Sequence, residues 1–354
     1  MTLNYIFENG MRKVLPHHVS REINVKGRWL GKTVVSILDS ELAPNTQAYT
    51  RSLIDKGKIS LIRGNVKSRK QPVQSVVYTD FESLSTIPIA QGDMFTNICH
   101  LHEPPIPLSP SETLSLDVVF EDEDLLIINK PSGVPVHPTG GYFYNTVTEI
   151  VKQQLELHNV FPVHRLDKLT SGVLILGKTS ARATAFSKLI QEHSVDKTYF
   201  ARVRGEFLDS EDFFVHQSAI FTTNNKYGFD RAAQEAETHF KRVTYNAKLD
   251  QSVVMCKPIT GRMHQIRIHL KELGHPIVND PIYGDETVEN YGDRSKSMQS
   301  GKECEECGTK LYLDGDRDDM CLWLHSWRYV LVEKKAGEKE LWVFETKVPE
   351  WANI

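Results

Sequence analysis

The chain has 354 residues, 40% of them hydrophobic and 25% charged, with a net charge of −4 at pH 7. This balance is ordinary for a globular protein and excludes wholesale disorder, collagen-like repeats and coiled coil. No apolar run reaches the roughly 18 residues of a membrane helix, and the opening residues, interrupted by Glu8, predict neither a secretory signal nor a good transit peptide.

Five cysteines, Cys99, Cys256, Cys304, Cys307 and Cys321, are few and odd in number. They do not read as a secreted disulfide framework and point to a reducing compartment. The charge is unevenly spread. Residues 1–100 carry 13 Lys/Arg against 8 Asp/Glu, and the remainder carries 29 against 38. A net negative chain is not an obvious nucleic-acid binder, but a basic front end on an acidic body is an asymmetry worth following.

In chain order, residues 1–30 read as an N-terminal extension without a clear pattern. Residues 31–100 form a compact basic stretch. An amphipathic segment at 32–42 is followed by a turn at Pro44-Asn45, a second helix-like segment at 47–56 closed by Gly57, and a strand-like run at 58–64. Between 51 and 70 seven basic residues face only Asp55. Two short helices with clustered Lys/Arg fit a small RNA-binding module, and a solvated charged face fits equally short motifs. Residues 101–114, with Pro104, Pro105 and Pro107, read as an extended linker.

The remainder, 115–354, reads as one larger domain. Strands are predicted at 116–120 and 125–129, joined by an acidic turn and ended by the turn Lys130-Pro131-Ser132-Gly133. Helical spacing covers 145–158, 180–193 and 264–273, the last closed by Gly274. Further strands are predicted at 172–178, 198–203, 238–245, 252–256, 327–332 and 341–346. Long strand runs with few helices between them predict an α+β fold on a largely antiparallel mixed sheet. The interval 285–320 has 11 acidic and 5 basic residues and little periodicity, and reads as an acidic insertion.

Gly172 to Thr179 matches the phosphate-loop pattern G-x-x-x-x-G-K-[ST] letter for letter. Its four middle residues are Val-Leu-Ile-Leu, which favour a buried strand. A buried strand spends its N–H groups in the ladder and cannot wrap them around phosphates. A nucleotidase reading is therefore disfavoured.

Three strings carry the chemistry. His164-Arg165-Leu166-Asp167-Lys168-Leu169-Thr170-Ser171-Gly172 precedes the apolar strand. Lys197-Thr198-Tyr199 follows. Thr260-Gly261-Arg262-Met263-His264-Gln265-Ile266-Arg267-Ile268-His269-Leu270 comes third, with Asp280-Pro281-Ile282-Tyr283-Gly284 behind it. In this order and spacing they resemble the RluA-type RNA pseudouridine synthases, over roughly 115–285 and again at Leu324-His325. The stretch 31–93 more weakly resembles the S4-like RNA-binding domain that often precedes that fold. His102-Glu103-Pro104-Pro105 is similar to the eukaryotic tRNA-modifying branch.

The resemblance implies that uridine within RNA is detached at N1, rotated, and rejoined to ribose through C5; its tRNA-modifying branch points to the anticodon stem-loop of tRNA, with ribosomal or other RNA left open. It implies Asp167 as the catalytic carboxylate, whether that oxygen engages C1′, engages base C6 or removes a ribose proton. An isolated buried carboxylate would take up a proton, so a nearby cation is needed. The resemblance places Arg267 there, on the helix face shared with His264. Tyr199 is implied to stack on the base, and Arg165 to occupy the place of the extruded nucleotide. Arg262 and His264 are implied to touch RNA backbone or order the Asp167 loop, and Ile266 to pack beneath the uracil. Lys130, grouped with these substrate-site residues, is expected to anchor the Asp167 loop rather than act as an acid.

An isomerisation implies no cofactor. The one metal candidate is a zinc site from Cys304, Cys307, Cys321 and His325, although His325 also belongs to the Leu-His pair that the family carries without metal. A zinc deaminase is excluded, because no H-x-E motif occurs and residue 303 is Glu. The expected partner is RNA, with no membrane and no nucleotide cofactor. The chain is expected to be monomeric and cytoplasmic, with nuclear or mitochondrial fractions left open. The competing reading is an RNA-binding protein on the same fold without catalysis.

Overall fold

The computed structural model describes residues 5–41, 46–64, 75–108, 116–192, 194–221, 223–224, 229–230, 233–284, 299–312, 320–335 and 338–354. The chain divides into two compact units. One comprises residues 1–6, 13–104 and 296–314, and the other residues 7–12, 105–295 and 315–354.

The smaller unit is built on a four-stranded sheet, in the order His17–Asn24, Met94–Leu101, Ile59–Arg63, Val76–Tyr78. Helices Val34–Glu41, Gln47–Asp55 and Phe81–Thr86 contribute to the same unit. Thr46 and Asp80 cap the second and third helices by accepting from Tyr49 N and Ser83 N. Gly57, at φ 66°, closes the second helix as expected. Trp29, Ile37, Leu53, Leu61, Leu84 and Phe95 form its core.

Two expected boundaries are corrected here. Residues 1–30 are not a free extension: the 17–24 strand pairs along its whole length with 94–101. The acidic 285–320 interval is not simply an insertion in the larger domain. Its described part forms a hairpin, Gln299–Glu303 with Lys310–Tyr312, and residues 296–314 group with the smaller unit.

The basic run is partly spent on structure. Arg51 pairs with Asp55 and lies 4.0 Å over the Phe81 ring, while Arg63 grips the buried Asp93 at 2.8 Å. Lys56 and Lys58 are exposed, and Lys67, Arg69 and Lys70 lie outside the described residues.

The larger unit holds a ten-stranded mixed sheet. Eight strands run in the order Phe214–Ile220, Gln234–Asn246, Gln251–Pro258, Val195–Arg204, Leu324–Lys335, Ser171–Gly177, Leu125–Lys130, Asp117–Glu121, while Phe161–Pro162 pairs with Ser171–Gly177 and Glu338–Glu345 with Leu324–Lys335. Every pairing in it is antiparallel except Ser171–Gly177 with Leu324–Lys335, so the expected largely antiparallel sheet is found. The Val-Leu-Ile-Leu core of the 171–177 strand is fully buried and in register with 125–130. Lys178 donates to Glu121 and Asp122, and Thr179 caps the helix Ser180–Gln191. The phosphate-loop string is thus a central strand followed by a helix cap.

The one parallel junction sets how the Asp167 loop is delivered. Gly172 has φ 107°, and a Cβ there would lie 2.7 Å from both the backbone N and C of Ser326. Only glycine permits the two strands to approach so closely. Gly172→Ala is expected to destabilise the chain by about 2 kcal/mol, read as a lower urea midpoint at unchanged slope. Wild-type stability in that variant would show that the junction tolerates the side chain.

Candidate active site

Four segments of the larger unit converge on one cleft of about 860 Å³. Asp167 comes from the loop before the 171–177 strand and Tyr199 from the 195–204 strand. Tyr329 comes from the 324–335 strand, and His264, Ile266 and Arg267 from the start of the helix Gln265–Glu272. A β-bulge between Thr198 and Tyr199 shifts the register where the tyrosine enters the cleft wall.

The Asp167 loop is clamped from below. Lys130 is fully buried and donates to the carbonyls of Pro131, Val134 and Lys168, at 2.8, 2.8 and 3.0 Å. Gly133 N also donates to Lys168 O, and Ser132 Oγ to Leu169 O. Burial pushes the Lys130 ammonium down to about 7, with the Asp167 charge working the other way. Its three bonds to carbonyls agree with the expected anchor of the Asp167 loop, and its grouping with the substrate-site residues is corrected. Lys130 is not among the residues lining the cleft.

The Asp167 carboxylate is 34% exposed at the side chain. Arg267 Nη1 and His264 Nε2 each stand 3.6 Å from its Oδ2. The guanidinium is therefore near Asp167, but Asp167 is not its main partner. Arg267 makes a bidentate pair with Asp280, Nε to Oδ2 at 2.6 Å and Nη2 to Oδ1 at 2.7 Å. Burial opposes the Arg267 charge, yet the bonds and charge of Asp280 carry it above the ordinary guanidinium value. Asp280 is likewise held below the usual carboxylate range by Arg267 and by the amides of Ile282 and Tyr283, against the effect of burial. The planar fork fixes Arg267 so that its remaining nitrogen faces Asp167.

His264 immediately precedes the helix, in the left-handed region at φ 56°. That conformation is uncommon outside glycine and marks a constrained position. Its Nδ1 meets the Tyr283 hydroxyl at 3.0 Å while Nε2 faces Asp167. Burial lowers its pKa, partly countered by the Asp167 charge.

Tyr199 is 8% exposed, and its hydroxyl bonds that of Tyr329 at 2.8 Å. Burial raises the pKa of both phenols, which stay protonated. His164 stacks on Tyr329 and accepts from Ile175 N through Nε2; burial pushes it down to about 3, so it is a neutral acceptor. Ile266 is buried against the cleft, whereas Arg165 and Arg262 line it and are exposed. Arg262 Nε donates to Glu235 O, and its amide is held by Gln265 Oε1.

The structure brings Asp167, Tyr199, Arg267, Arg165, Arg262, His264 and Ile266 to one concavity. Sequence reasoning assigned no role to Asp280, Gln265 or Tyr329. Asp280 and Gln265 lay inside motif strings already singled out, but nothing local told that they brace Arg267 and the 260–262 loop. Tyr329 sits in a strand whose pattern gives no hint of a partner 130 residues away.

The expected zinc set is also corrected. His325 uses both ring nitrogens, Nδ1 with Ser171 Oγ at 2.8 Å and Nε2 with Thr346 Oγ1 at 2.7 Å. It pins the strand junction beside the Asp167 loop. Among the described residues no metal-ligand cluster includes Cys321 or His325.

The RNA pseudouridylate synthase family model matches residues 124–272. A Saccharomyces cerevisiae protein named tRNA pseudouridine(31) synthase is 35% identical, over 98% of this chain and 96% of that one. The same yeast's mitochondrial tRNA pseudouridine(32) synthase is 33% identical, over 98% and 78%. A solved structure, human RNA Pseudouridylate Synthase Domain Containing 1, is 21% identical over 69% of this chain and 86% of that one, with a TM-score of 0.48.

Proposed function

Because the chain belongs to the RluA-type RNA pseudouridine synthase family, we propose that it isomerises uridine to pseudouridine in the anticodon stem-loop of tRNA, with Asp167 as the catalytic carboxylate. One observation carries the reading: a partly exposed carboxylate, flanked by a braced guanidinium and an imidazole, shares a cleft with a buried tyrosine. The names of two relatives matched over 98% of this chain give positions 31 and 32 of tRNA, which favours the anticodon arm as the target. Residues 31–100 serve in this reading as the S4-like RNA-binding part. No helix among the described residues is long and apolar enough to cross a membrane.

The reaction breaks N1–C1′ and forms C5–C1′. N1 gains a proton and C5 loses one, so nothing is oxidised or reduced and no group leaves. The base must leave its stack to be rotated, at a cost of a few kcal/mol. Arg165, exposed beside the cleft, fills the vacated place with its guanidinium plane. Tyr199 and Ile266 hold the uracil between them. Asp167 supplies an ionised oxygen whether it engages the sugar, the base or a ribose proton, and each of these roles needs the positive field of Arg267 beside it.

The test is release of tritium from tRNA labelled at uracil C5, without ATP or added metal. The chain is expected to release the label from one uridine in the anticodon arm. Tight binding with no release would favour the RNA-binding reading without catalysis.

A further inference from the structure

The smaller unit gathers four soft ligands that the isomerisation does not use. Cys304 and Cys307 lie in the acidic hairpin, and His100 and His102 lie at the end of the 94–101 strand and just beyond it. One ring nitrogen of each histidine and the Sγ of each cysteine all fall within 4.8 Å of one another. We propose that Cys304, Cys307, His100 and His102 form a structural zinc site that fastens the acidic hairpin to the sheet of the smaller unit.

Geometry supports a tetrahedral ion. Zinc bonds of about 2.3 Å to sulfur and about 2.05 Å to nitrogen put tetrahedral S and N ligands about 3.6 Å apart. Cys304 Sγ and His100 Nδ1 are 3.6 Å apart. The hairpin has the turn that a two-cysteine ligand pair needs. Gly308, at φ 67°, reverses the chain, its amide donates to Cys304 O, and Cys304 N donates to Thr309 O. A Cβ on Gly308 would press on Thr46 at 2.9 Å, so glycine also lets the turn sit close against its own unit.

The histidines are placed for a shared ligand. His100 and His102 meet edge to face at 4.7 Å, and His102 Nε2 is a buried nitrogen without a hydrogen-bond partner among the described residues. A buried ring nitrogen left unpaired is unfavourable, and a metal–nitrogen bond would satisfy it. Glu306, between the two cysteines, bonds His18 at 2.7 Å and approaches His100 at 3.6 Å.

Zinc content of the full-length chain, purified under reducing conditions and dialysed free of loose metal, tests this directly. About one zinc per chain is expected. The double variant Cys304→Ser/Cys307→Ser should fall at least about tenfold in zinc, and Cys321→Ser should keep it. Cobalt in place of zinc gives a second reading that survives partial unfolding of the double variant. Wild type should show thiolate-to-cobalt charge transfer from two sulfurs, and Cys304→Ser about half that absorbance. A metal-free wild type after zinc reconstitution would overturn the proposal. So would a Cys304–Cys307 disulfide in the reduced preparation, zinc retained by the double variant, or zinc lost from Cys321→Ser.

Discussion

Asp167→Ala is expected to slow pseudouridine formation at least about 10⁴-fold while leaving the fold nearly untouched. The two effects separate because of where the carboxylate stands. Its side chain is 34% exposed, and its neighbours Arg267 and His264 are 3.6 Å away rather than in close hydrogen-bonded contact. Such a pair contributes about 1 kcal/mol or less to stability. The loop itself is held by backbone, through Lys130, Gly133 and Ser132, and none of those bonds involves the carboxylate. Rates come from tritium release and stability from urea unfolding. A variant retaining a tenth of wild-type activity would remove Asp167 from the chemistry.

Asp280→Ala should give the largest loss of stability at the site, about 3 kcal/mol or more. Arg267 is 3% exposed and Asp280 is fully buried at the side chain. Removing the carboxylate strands a buried guanidinium that held two charge-assisted bonds. Its nearest remaining anion is Asp167. The guanidinium is expected to close on that carboxylate and occupy the oxygen the reaction needs. Activity should therefore fall at least about tenfold even well below the unfolding midpoint. Asp280→Asn, which keeps one acceptor, should recover part of the stability. Unchanged stability and rate in Asp280→Ala would show that Asp167 alone satisfies Arg267.

The larger unit was legible because its strands carry an unmistakable pattern. The apolar runs of Leu125–Lys130 and Ser171–Gly177, residues 125–128 and 173–176, are fully buried and pair with one another in the interior of the sheet. Gly274, at φ 79°, ends its helix where the sequence places it. In the smaller unit the strand expected at 58–64 is found as Ile59–Arg63, whereas His17–Asn24 and Met94–Leu101 were missed for the opposite reason. His17–Asn24 buries only Val19, and Met94–Leu101 turns inward a mixed set, Phe95, Asn97, Cys99 and Leu101. An alternation broken by a polar residue does not stand out from a polar segment. The basic run 51–70 overstated its free charge, because Arg51 and Arg63 are tied to Asp55 and Asp93.

At the candidate site, the family resemblance singled out Asp167, Tyr199 and Arg267, which the fold brings to one cleft, but it did not tell who braces whom. Spacing placed His264 and Arg267 near each other; it could not show that Arg267 is gripped by Asp280. The cysteine pair shows the same limit more sharply. Cys304-x-x-Cys307 signals a ligand pair, but its companions came from 200 residues upstream rather than from Cys321 and His325. Partners brought together by a sheet leave no local trace in the chain.

The central claim is that the ionised oxygen of Asp167 drives the isomerisation. Single-turnover tritium release with enzyme in excess over C5-labelled tRNA, comparing wild type with Asp167→Asn, tests it most directly. The amide keeps the shape of the side chain and removes its charge. Wild type is expected to release the label from the target uridine, and the variant to bind the same tRNA and release none. Release by Asp167→Asn at a rate within about tenfold of wild type would contradict the account, since no step assigned here proceeds without that charge.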